Sequence, residues 1–364
     1  MRILIASGGS GGHIFPAVSL AKEIRKNSDA DIIFAASRRD LDRDILRGEP
    51  YEKVFLSANP MPYKLSYKII VFLFKFIMDS FQAVYILSKY RPGVVVGFGG
   101  YTSGSIVLVS AFLRIKTVVH EQNLVPGRTN KLLDKIVDRL AVSFEDTKKY
   151  LSNKNIIFTG NPIRRESLRN NREEGMDYFK LDRGRTTFLI MGGSQGARSL
   201  NELVSRSLCL LPESKKAQLQ LVHITGPTDA KKIAARYSDN KINGKVFPFI
   251  KEISQAYSVC DIAISRSGAA AIFELAAFKK PMILIPYPNP KNNQRFNAEF
   301  FELKGAAVCI DESKTTDTEL KEIINGLLDD PGKRKSLSDN AMGLSIKDAA
   351  ERLKNVVLEV ARNT

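Results

Sequence analysis

Two side chains that could accept a proton lie just after short apolar runs in the first half of the chain. His13 ends a glycine-rich run that begins at Gly8, and Glu121 lies in the polar sequence His120-Glu121-Gln122-Asn123. Imidazole near neutral pH and a positioned carboxylate are common general bases. We therefore expect His13 or Glu121 to take a proton from a substrate, with His13 slightly preferred. The alternative for His13 is a helix-start residue bonded to a neighbouring carbonyl.

Both halves of the chain contain a glycine-rich run after an apolar run, at residues 8–13 and 192–197. Glycine lets the backbone approach a ligand, and the N-terminus of the following helix offers free N–H groups and a partial positive charge. Ser10, Gly11 and Gly12 could thus line a phosphate or sugar site. Neither run has the GxGxxG or Walker spacing, which argues against a routine dinucleotide or ATP site.

Two further clusters lie in the second half. Ser267 and Gly268 follow an apolar run and open a helix whose first turn can bind a phosphate. Glu274 lies farther along that helix, where a carboxylate can accept both hydroxyls of a ribose; a solvated helix residue is the alternative. The amides of residues 292–297, like Asn123 in the first half, are suited to sugar hydroxyls.

These clusters need strands that bring them to one edge of a sheet. Apolar, β-branched runs predict strands near residues 2–7, 31–36, 51–56, 93–98, 116–120, 139–143 and 156–159, and near 186–191, 219–225, 245–248, 261–265, 281–286 and 306–310. Apolar strands that alternate with helices indicate parallel sheets covered on both faces, which bind ligands at the carboxyl ends of their strands. The sequence therefore predicts an α/β fold with two Rossmann-like, doubly wound parallel-sheet domains that face each other across a cleft.

Domain boundaries follow from the linker at residues 160–164 and the polar stretch after it. We expect an N-terminal domain over residues 1–162 and a C-terminal domain over 163–342, with the last helix, about 343–364, packing back on the first domain. Three helical patterns, near 317–328, 331–342 and 346–362, end the chain.

Composition narrows the class of partner. The net charge of +16 suggests an anionic one, such as nucleic acid, an anionic membrane surface or a phosphorylated substrate, or else only a lysine-rich proteome. No RNA-binding motif is present, and the basic residues are spread widely, which disfavours nucleic acid. The three cysteines lie far apart in apolar contexts and indicate reduced thiols in a cytoplasmic protein, and with only three histidines a zinc site is not expected.

The segment 60–91 interleaves aromatic and aliphatic residues with lysines. Part of it must be core, and the remainder fits a helix or loop lying on an anionic membrane surface. Its longest apolar run, residues 69–74, ends at Lys75 and falls far short of the roughly 20 residues needed to span a bilayer.

Together, the motifs resemble the MurG family of peptidoglycan N-acetylglucosaminyltransferases, in glycosyltransferase family 28, along nearly the whole chain. The stretches that carry the resemblance are GGSGGHIFPA at 8–17, GFGGYTSG at 97–104, HEQN at 120–123, TGNPIR at 159–164, GGSQGARSLN at 192–201, RSGAAAIFE at 266–274 and NQRFNA at 293–298. Their order and spacing fit as well as their content.

The resemblance implies a GT-B enzyme that moves GlcNAc from UDP-GlcNAc to the 4-hydroxyl of MurNAc in lipid I, an undecaprenyl-pyrophosphate acceptor, to form lipid II with inversion. Such an enzyme would be a peripheral protein on the cytoplasmic face of the cell membrane, with the N-terminal domain for the acceptor and membrane and the C-terminal domain for the donor. The open alternatives are a GT-B transferase for another acceptor, a nucleic-acid-binding protein and a dinucleotide oxidoreductase.

The same resemblance implies residue roles. Donor binding falls to Ser10, Gly11, Gly12, Asn123, Arg164, Ser194, Ile250, Ala269, Glu274 and Gln294. Ser194 would hold the diphosphate, Ile250 would flank the uracil, and Gln294 would contact the GlcNAc. A helix N-terminus could replace the divalent ion of other glycosyltransferases, so no essential metal is expected.

Overall fold

The computed structural model describes residues 1–57, 68–164, 171–193, 196–289 and 293–362. The chain forms two compact units. One consists of Met1–Arg164 together with Ile346–Thr364, and the other of Arg165–Ser345. The last helix of the sequence therefore belongs to the first unit.

The first unit is built on a parallel sheet of seven strands in the order β3-β2-β1-β4-β5-β6-β7. The strands are β1 (Arg2–Ala6), β2 (Asp31–Ser37), β3 (Glu52–Leu56), β4 (Val94–Gly97), β5 (Lys116–Glu121), β6 (Arg139–Val142) and β7 (Ile156–Phe158). The helices are α1 (Gly11–Asn27), α2 (Asp40–Arg47), α3 (Lys68–Tyr90), α4 (Gly100–Phe112), α5 (Arg128–Leu133) and a 3-10 turn at Glu145–Tyr150, with the chain's last helix, Ala349–Arg362, completing the unit.

The sheet is covered on both faces, as the apolar strands predict. Along β1, Ile3 and Ile5 pack into one core with α1 and the C-terminal helix, whereas Leu4 and Ala6 pack into a second core with α3, α4 and α5. Successive strand residues point to opposite faces, so a strand that is apolar throughout can fill both cores.

The second unit is a parallel sheet of six strands in the order β10-β9-β8-β11-β12-β13. Its strands are β8 (Thr186–Met191), β9 (Leu219–Ile224), β10 (Gly244–Phe247), β11 (Ile262–Ser265), β12 (Met282–Leu284) and β13 (Val308–Cys309). Its helices are α6 (Arg172–Phe179), α7 (Arg198–Cys209), α8 (Glu213–Lys216), α9 (Ala230–Asp239), α10 (Ile253–Val259), α11 (Ala269–Ala277), α12 (Gln294–Leu303), α13 (Asp317–Asp329) and α14 (Pro331–Leu344); the helix Ala349–Arg362 is α15.

Each predicted strand matches a strand of the structure, and the two doubly wound parallel sheets confirm the predicted fold class. Strand order reverses between β1 and β4 in the first unit and between β8 and β11 in the second. At such switch points neighbouring loops diverge and leave a crevice beyond the carboxyl ends of the strands. The glycine-rich runs at 8–13 and 192–197 follow β1 and β8, so each lies at the switch point of its sheet.

The apolar segment forms a helix that is longer than its longest apolar run. The helix α3 has 23 residues, and Ile70–Tyr90 is long and apolar enough to cross a bilayer by length and composition alone, with a mean hydropathy of 1.7 over its most apolar window. The apolar run at residues 69–74 is only part of this helix, because isolated polar residues such as Lys75 do not end a helix. The face that carries Ala83, Ile86 and Leu87 is buried in the core of the unit.

The C-terminal helix α15 packs against α1, and its Leu353, Val356 and Val357 join the core of the first unit. The segment that returns to the first unit begins at Ile346, which packs against Gly160 of the linker: Gly160 has φ +79, and a Cβ there would lie 2.5 Å from the Cβ of Ile346. Only glycine therefore fits at position 160.

Candidate functional site

The first glycine loop holds His13 in the first turn of α1, beside Ser10, Gly11 and Gly12. The His13 ring is half-buried, and its Nδ1 lies 3.2 Å from the Gly8 carbonyl oxygen. A carbonyl can only accept, so Nδ1 carries the proton and Nε2 holds the lone pair of the neutral ring. Burial lowers the pKa of His13, while the Gly8 hydrogen bond and the charges of Glu121 and Asp42 oppose that shift.

A buried carboxylate lies beneath this loop. Asp42 of α2 is 0% exposed and accepts from the Gly9 N–H at 2.9 Å, from the Ser37 N–H at 3.2 Å and from the Ser37 hydroxyl at 2.5 Å. A Cβ on Gly8 would lie 2.6 Å from its Oδ2. One N–H of the predicted phosphate loop is therefore already occupied by a side chain of the protein.

The other switch-point loop of the first unit passes over the His13 ring. Gly100 begins α4 with φ +73, and a Cβ there would lie 3.2 Å from His13 Nδ1 and 3.1 Å from the Gly8 oxygen. A side chain at this position would displace the ring. The glycine density at 97–104 therefore leaves room for His13.

Glu121, the second candidate base, ends β5 in a closed set of hydrogen bonds. It is 1% exposed; Oε1 accepts from the N–H and side-chain amide of Asn123 at 2.8 and 3.1 Å, and Oε2 accepts from the Gly127 N–H at 2.9 Å and the Asn130 amide at 2.7 Å. These contacts fix the loop after β5 and place Asn123 at its start.

His120, which precedes Glu121, is a core residue. Its ring is fully buried, with Nε2 3.1 Å from the Gly160 oxygen and Nδ1 3.0 Å from the Gln122 amide nitrogen. Burial lowers the pKa of His120 to about 4. The hydrogen bond to Gly160 ties β5 to the linker at residues 160–164. At the end of this linker, the Arg164 guanidinium lies 4.2 Å from the centre of the Phe15 ring in α1.

In the second unit, the loop after β8 depends on glycines for its shape. Gly193 and Gly196 have φ of +103 and +79, and a Cβ on Gly196 would lie 2.3 Å from the Thr225 oxygen. The predicted diphosphate contact, Ser194, falls outside the described residues. The helix α7 begins two residues after Gly196.

A pocket of about 610 Å³ opens beside this loop. Its lining includes Gly192, Gly196, Arg198, Arg266, Tyr287 and Gln294. Gln294, predicted as a sugar contact, is thus placed in the pocket, with its Oε1 accepting from the Tyr287 N–H at 3.0 Å. The pocket also contains Glu202, whose carboxylate pairs with Lys232 at 2.5 Å and Arg236 at 2.8 Å, and the Lys232 hydrogen bond most strongly lowers its pKa.

Arg266 is the buried cation of this pocket and is only 5% exposed. Its Nη1 donates to the Ile285 and Pro286 carbonyls, both at 3.1 Å, and to Glu312 at 2.5 Å, while Nη2 donates to the Ser199 hydroxyl at 2.9 Å. The arginine joins β11, the end of β12 and the start of α7, and its charge is paired with the buried carboxylate of Glu312.

The remaining predicted donor residues lie on or near α11. Ala269 begins this helix, whose N-cap is Gly268, and no described atom lies within 4 Å of a Cβ built on Gly268. Glu274 is 6% exposed and accepts from the Tyr257 hydroxyl of α10 at 2.8 Å. Ile250 is buried in the segment between β10 and α10. The open N-terminus of α11 is suited to an anion.

Sequence reasoning named no site role for Asp42, Arg266 or Tyr287. The motif around Arg266 was visible, but nothing local distinguishes an arginine that lines a pocket from one that is solvated. Among the described residues, no group of three or more His, Cys, Asp and Glu side chains is placed to hold a metal ion.

Two doubly wound parallel sheets, each with a glycine loop at its switch point, are the architecture of the GT-B fold. A solved structure titled MurG from Acinetobacter baumannii matches with a TM-score of 0.77, 24% identity, and coverage of 98% of this chain and 99% of that one. Family models for the N-terminal and C-terminal domains of glycosyltransferase family 28 match residues 3–142 and 187–353.

Curated relatives match along the full length. The UDP-N-acetylglucosamine–N-acetylmuramyl-(pentapeptide) pyrophosphoryl-undecaprenol N-acetylglucosamine transferase of Halalkalibacterium halodurans is 34% identical over 368 residues, covering 100% of each chain. The transferase of the same name from Caldanaerobacter subterraneus subsp. tengcongensis is 36% identical over 364 residues, covering 98% of this chain and 99% of its own. This chain belongs to glycosyltransferase family 28.

Proposed function

We propose that this chain transfers GlcNAc from UDP-GlcNAc to the 4-hydroxyl of MurNAc in undecaprenyl-pyrophosphoryl-MurNAc-pentapeptide (lipid I), forming the β-1,4 linkage of lipid II in peptidoglycan synthesis. The observation that carries this function is the full-length similarity to transferases whose names state this sugar and this acceptor. The donor is an α-glycoside, so a β product requires inversion by a single displacement.

His13 is the general base of this proposal. Its Nδ1–H donates to Gly8, which leaves the Nε2 lone pair for the acceptor hydroxyl, and burial lowers its pKa, so the ring is neutral near pH 7. Glu121 accepts four hydrogen bonds from the loop that it holds, which favours a positioning role over proton capture. A positioned base contributes about 10²- to 10⁴-fold to turnover.

Donor binding falls to the second unit. The glycine loop with Ser194, the open N-terminus of α11 at Ala269 and the Arg266 guanidinium stabilise the charge of departing UDP. Fixed positive groups of this kind support the proposal that no metal is essential. Arg164, on the linker side of the first unit, adds a further cation.

The nucleoside and sugar have separate contacts in this proposal. Glu274 accepts the ribose hydroxyls, and its tie to Tyr257 holds the carboxylate in place. Ile250 flanks the uracil. The amides of Gln294 and Asn123, with the Ser10–Gly12 turn, recognise GlcNAc.

The helix α3 supports peripheral binding to the cytoplasmic face of an anionic membrane. Its outer face exposes Ile70, Phe74, Ile77, Phe81 and Tyr85 by 53–72%, whereas its inner face packs in the core of the first unit. Apolar residues on a helix with nearby lysines are typical of helices that lie in the membrane interface. A lipid-linked acceptor requires such a position.

The membrane proposal is tested by vesicle co-sedimentation. Ile77→Glu with Phe81→Glu should reduce binding to anionic vesicles at least about tenfold, because both apolar contacts are replaced by charges that anionic lipid repels. Leu303→Glu, at an 83% exposed leucine on α12, is the matched control and should bind normally. Equal binding of all three proteins would refute the role of α3.

The transferase function is tested with purified full-length chain, labelled UDP-GlcNAc and a panel of acceptors. Label in a product of the mass of lipid II, obtained with lipid I and not with diacylglycerol or free sugars, is the expected result. Transfer to diacylglycerol alone would favour a glycolipid synthase of the same fold. Binding to RNA in the absence of binding to anionic vesicles would favour the nucleic-acid alternative raised by the charge of +16.

A further inference from the structure

Asp42 and His13 contact opposite ends of one peptide group. The Gly9 N–H donates to Asp42 Oδ2 at 2.9 Å, and the Gly8 carbonyl accepts from His13 Nδ1 at 3.2 Å. These two groups belong to the single planar peptide between Gly8 and Gly9, in which N–H and C=O point in opposite directions. The peptide therefore lies between a buried carboxylate and an imidazole.

We propose that Asp42 is a positioning residue for His13 and acts through the Gly8–Gly9 peptide. By fixing the direction of the peptide, Asp42 fixes the carbonyl that holds the His13 ring and its Nδ1–H tautomer, so that Nε2 carries the lone pair. This inference rests on the proposed role of His13 as base.

The charge of Asp42 has a second effect in the same step. As the acceptor oxygen bonds to the anomeric carbon and the bond from that carbon to UDP breaks, the hydroxyl proton moves to His13 Nε2 and the leaving electron pair stays on UDP. The ring then becomes an imidazolium. A carboxylate one peptide away, which polarises that peptide toward the ring, stabilises this cation.

Three glycines make the arrangement possible. A Cβ on Gly8 would come within 2.6 Å of Asp42 Oδ2. Gly9 has φ +87, a backbone conformation that residues with a side chain rarely adopt. On the far side of the ring, a Cβ on Gly100 would lie 3.2 Å from Nδ1. A glycine loop that served only to bind phosphate would not need a buried acid beneath it.

Other charged groups also surround His13. Glu121 at the end of β5 raises the pKa of His13, as Asp42 does, while burial lowers it. Arg39, at the start of α2, donates to the Gly9 carbonyl at 3.3 Å and lies 5.2 Å from the centre of the Tyr101 ring in α4. Arg164 lies over Phe15, two residues along α1 from His13. Among the residues that the structure describes, Asp42 alone accepts a hydrogen bond from the peptide that holds the ring.

The test is Asp42→Asn, with Asp138→Asn as a matched control. Asp138 also accepts from a backbone N–H and a hydroxyl, both of Thr117, but at the start of β5, away from the carboxyl ends of the strands. Asp42→Asn should lower kcat about 10- to 100-fold with KM for UDP-GlcNAc unchanged, as part of the positioned-base contribution is lost. The acid limb of the kcat/KM profile should move to lower pH, because a negative charge near His13 is removed. Asp138→Asn should leave both kcat and the position of the acid limb unchanged.

A nitrogen-15 NMR titration of His13 separates this inference from the proposed function, since it needs no turnover. Asp42→Asn should lower the His13 pKa and loosen its tautomer preference. An unchanged titration and pH profile would overturn the positioning role, even if His13→Ala abolishes turnover. Conversely, absence of transferase activity in the wild-type protein would overturn the proposed function. The titration would then still test whether Asp42 sets the pKa and tautomer of His13.

Should Asp42→Asn fail to fold, as shown by circular dichroism, Ser37→Ala provides the second variant. It removes one hydroxyl from Asp42 and keeps the carboxylate. A few-fold drop in kcat with an unmoved acid limb is expected. Unchanged kcat in this variant would count against the coupling.

Discussion

The two glycine loops share a local structure and differ in charge. Both follow a buried strand at a switch point and lead into a helix. Beneath the first lies Asp42, which takes the Gly9 N–H, and the loop carries an imidazole. Beside the second lies Arg266, which is paired with Glu312, and the pocket residue Glu202 is paired with the three cations Lys232, Arg236 and Arg206.

This difference shows how one supersecondary unit can serve two kinds of chemistry. Strand, glycines and helix supply close approach and free N–H groups in both units. A carboxylate behind the loop disfavours a phosphate and supports a base, whereas a guanidinium favours a phosphate. The residues that decide this lie outside the loops, on α2 and at the end of β11.

The largest expected effect concerns the base. His13→Ala should lower kcat about 10²- to 10⁴-fold, because proton capture is lost. The dissociation constant for UDP-GlcNAc, measured by calorimetry, should change little, since donor binding is assigned to the other unit. Near-normal turnover in His13→Ala, together with loss in Glu121→Gln, would move the base to Glu121.

A pair of glycine substitutions sharpens the contrast between the loops. Gly100→Ala places a methyl against the His13 ring and Gly196→Ala places one against the Thr225 oxygen, both at positive φ. The first should lower kcat about tenfold or more with donor KM unchanged, and the second should raise donor KM by a similar factor. Steady-state kinetics with both substrates varied measures each effect. Identical profiles for the two variants would break the proposed division of roles.

Removing the ribose contact should have a smaller effect. Glu274→Ala should weaken UDP binding about tenfold, roughly 1.4 kcal/mol, because a charged hydrogen bond to the hydroxyls is lost. Tyr257→Phe removes only the hydroxyl that holds the carboxylate and should weaken binding less. Calorimetric titration with UDP compares them. Wild-type affinity in Glu274→Ala would exclude the ribose role.

The last expected effect concerns stability, not kinetics or ligand binding, and applies to both units. Burial lowers the pKa of His120 in the first unit to about 4 and that of His223 in the second to about 3. The unfolded chain binds these protons below about pH 6.5, so stability is retained above that pH and is lost as pH falls toward 4 and 3.

Each of these histidines should remove about 2 kcal/mol of unfolding free energy between pH 7 and pH 5. Urea unfolding followed by circular dichroism measures the change. His223→Gln should flatten the pH dependence by about one histidine's share. An unaltered slope would show that His223 is protonated to the same extent in the folded and unfolded states.

The strands and glycine loops could be predicted because their signals are local. An apolar, β-branched run followed at once by glycines, as in Ile3 to Gly8, indicates a buried strand that ends in a tight turn. His13 was predicted as a site residue for the same reason, since it directly follows the glycine-rich turn after β1.

Long-range contacts could not be predicted in this way. Asp42 reaches Gly9 across 33 residues, and Arg266 reaches Glu312 across 46, each through a fold that the sequence does not display. On sequence alone, Asp42 is one of several acids in a charged helix. The length of α3 was not predicted because isolated polar residues such as Lys75 interrupt its apolar sequence without ending the helix.

The return of α15 to the first unit has a consequence for biosynthesis. Leu353, Val357 and Val360 complete a core that also contains Ile14 and Val18 of α1. A ribosome adds about 5–20 residues per second, so α1 waits tens of seconds for its partner. The unit that leaves the ribosome first is therefore completed last, and a chain that terminates before residue 349 leaves an apolar surface open to chaperones and proteases.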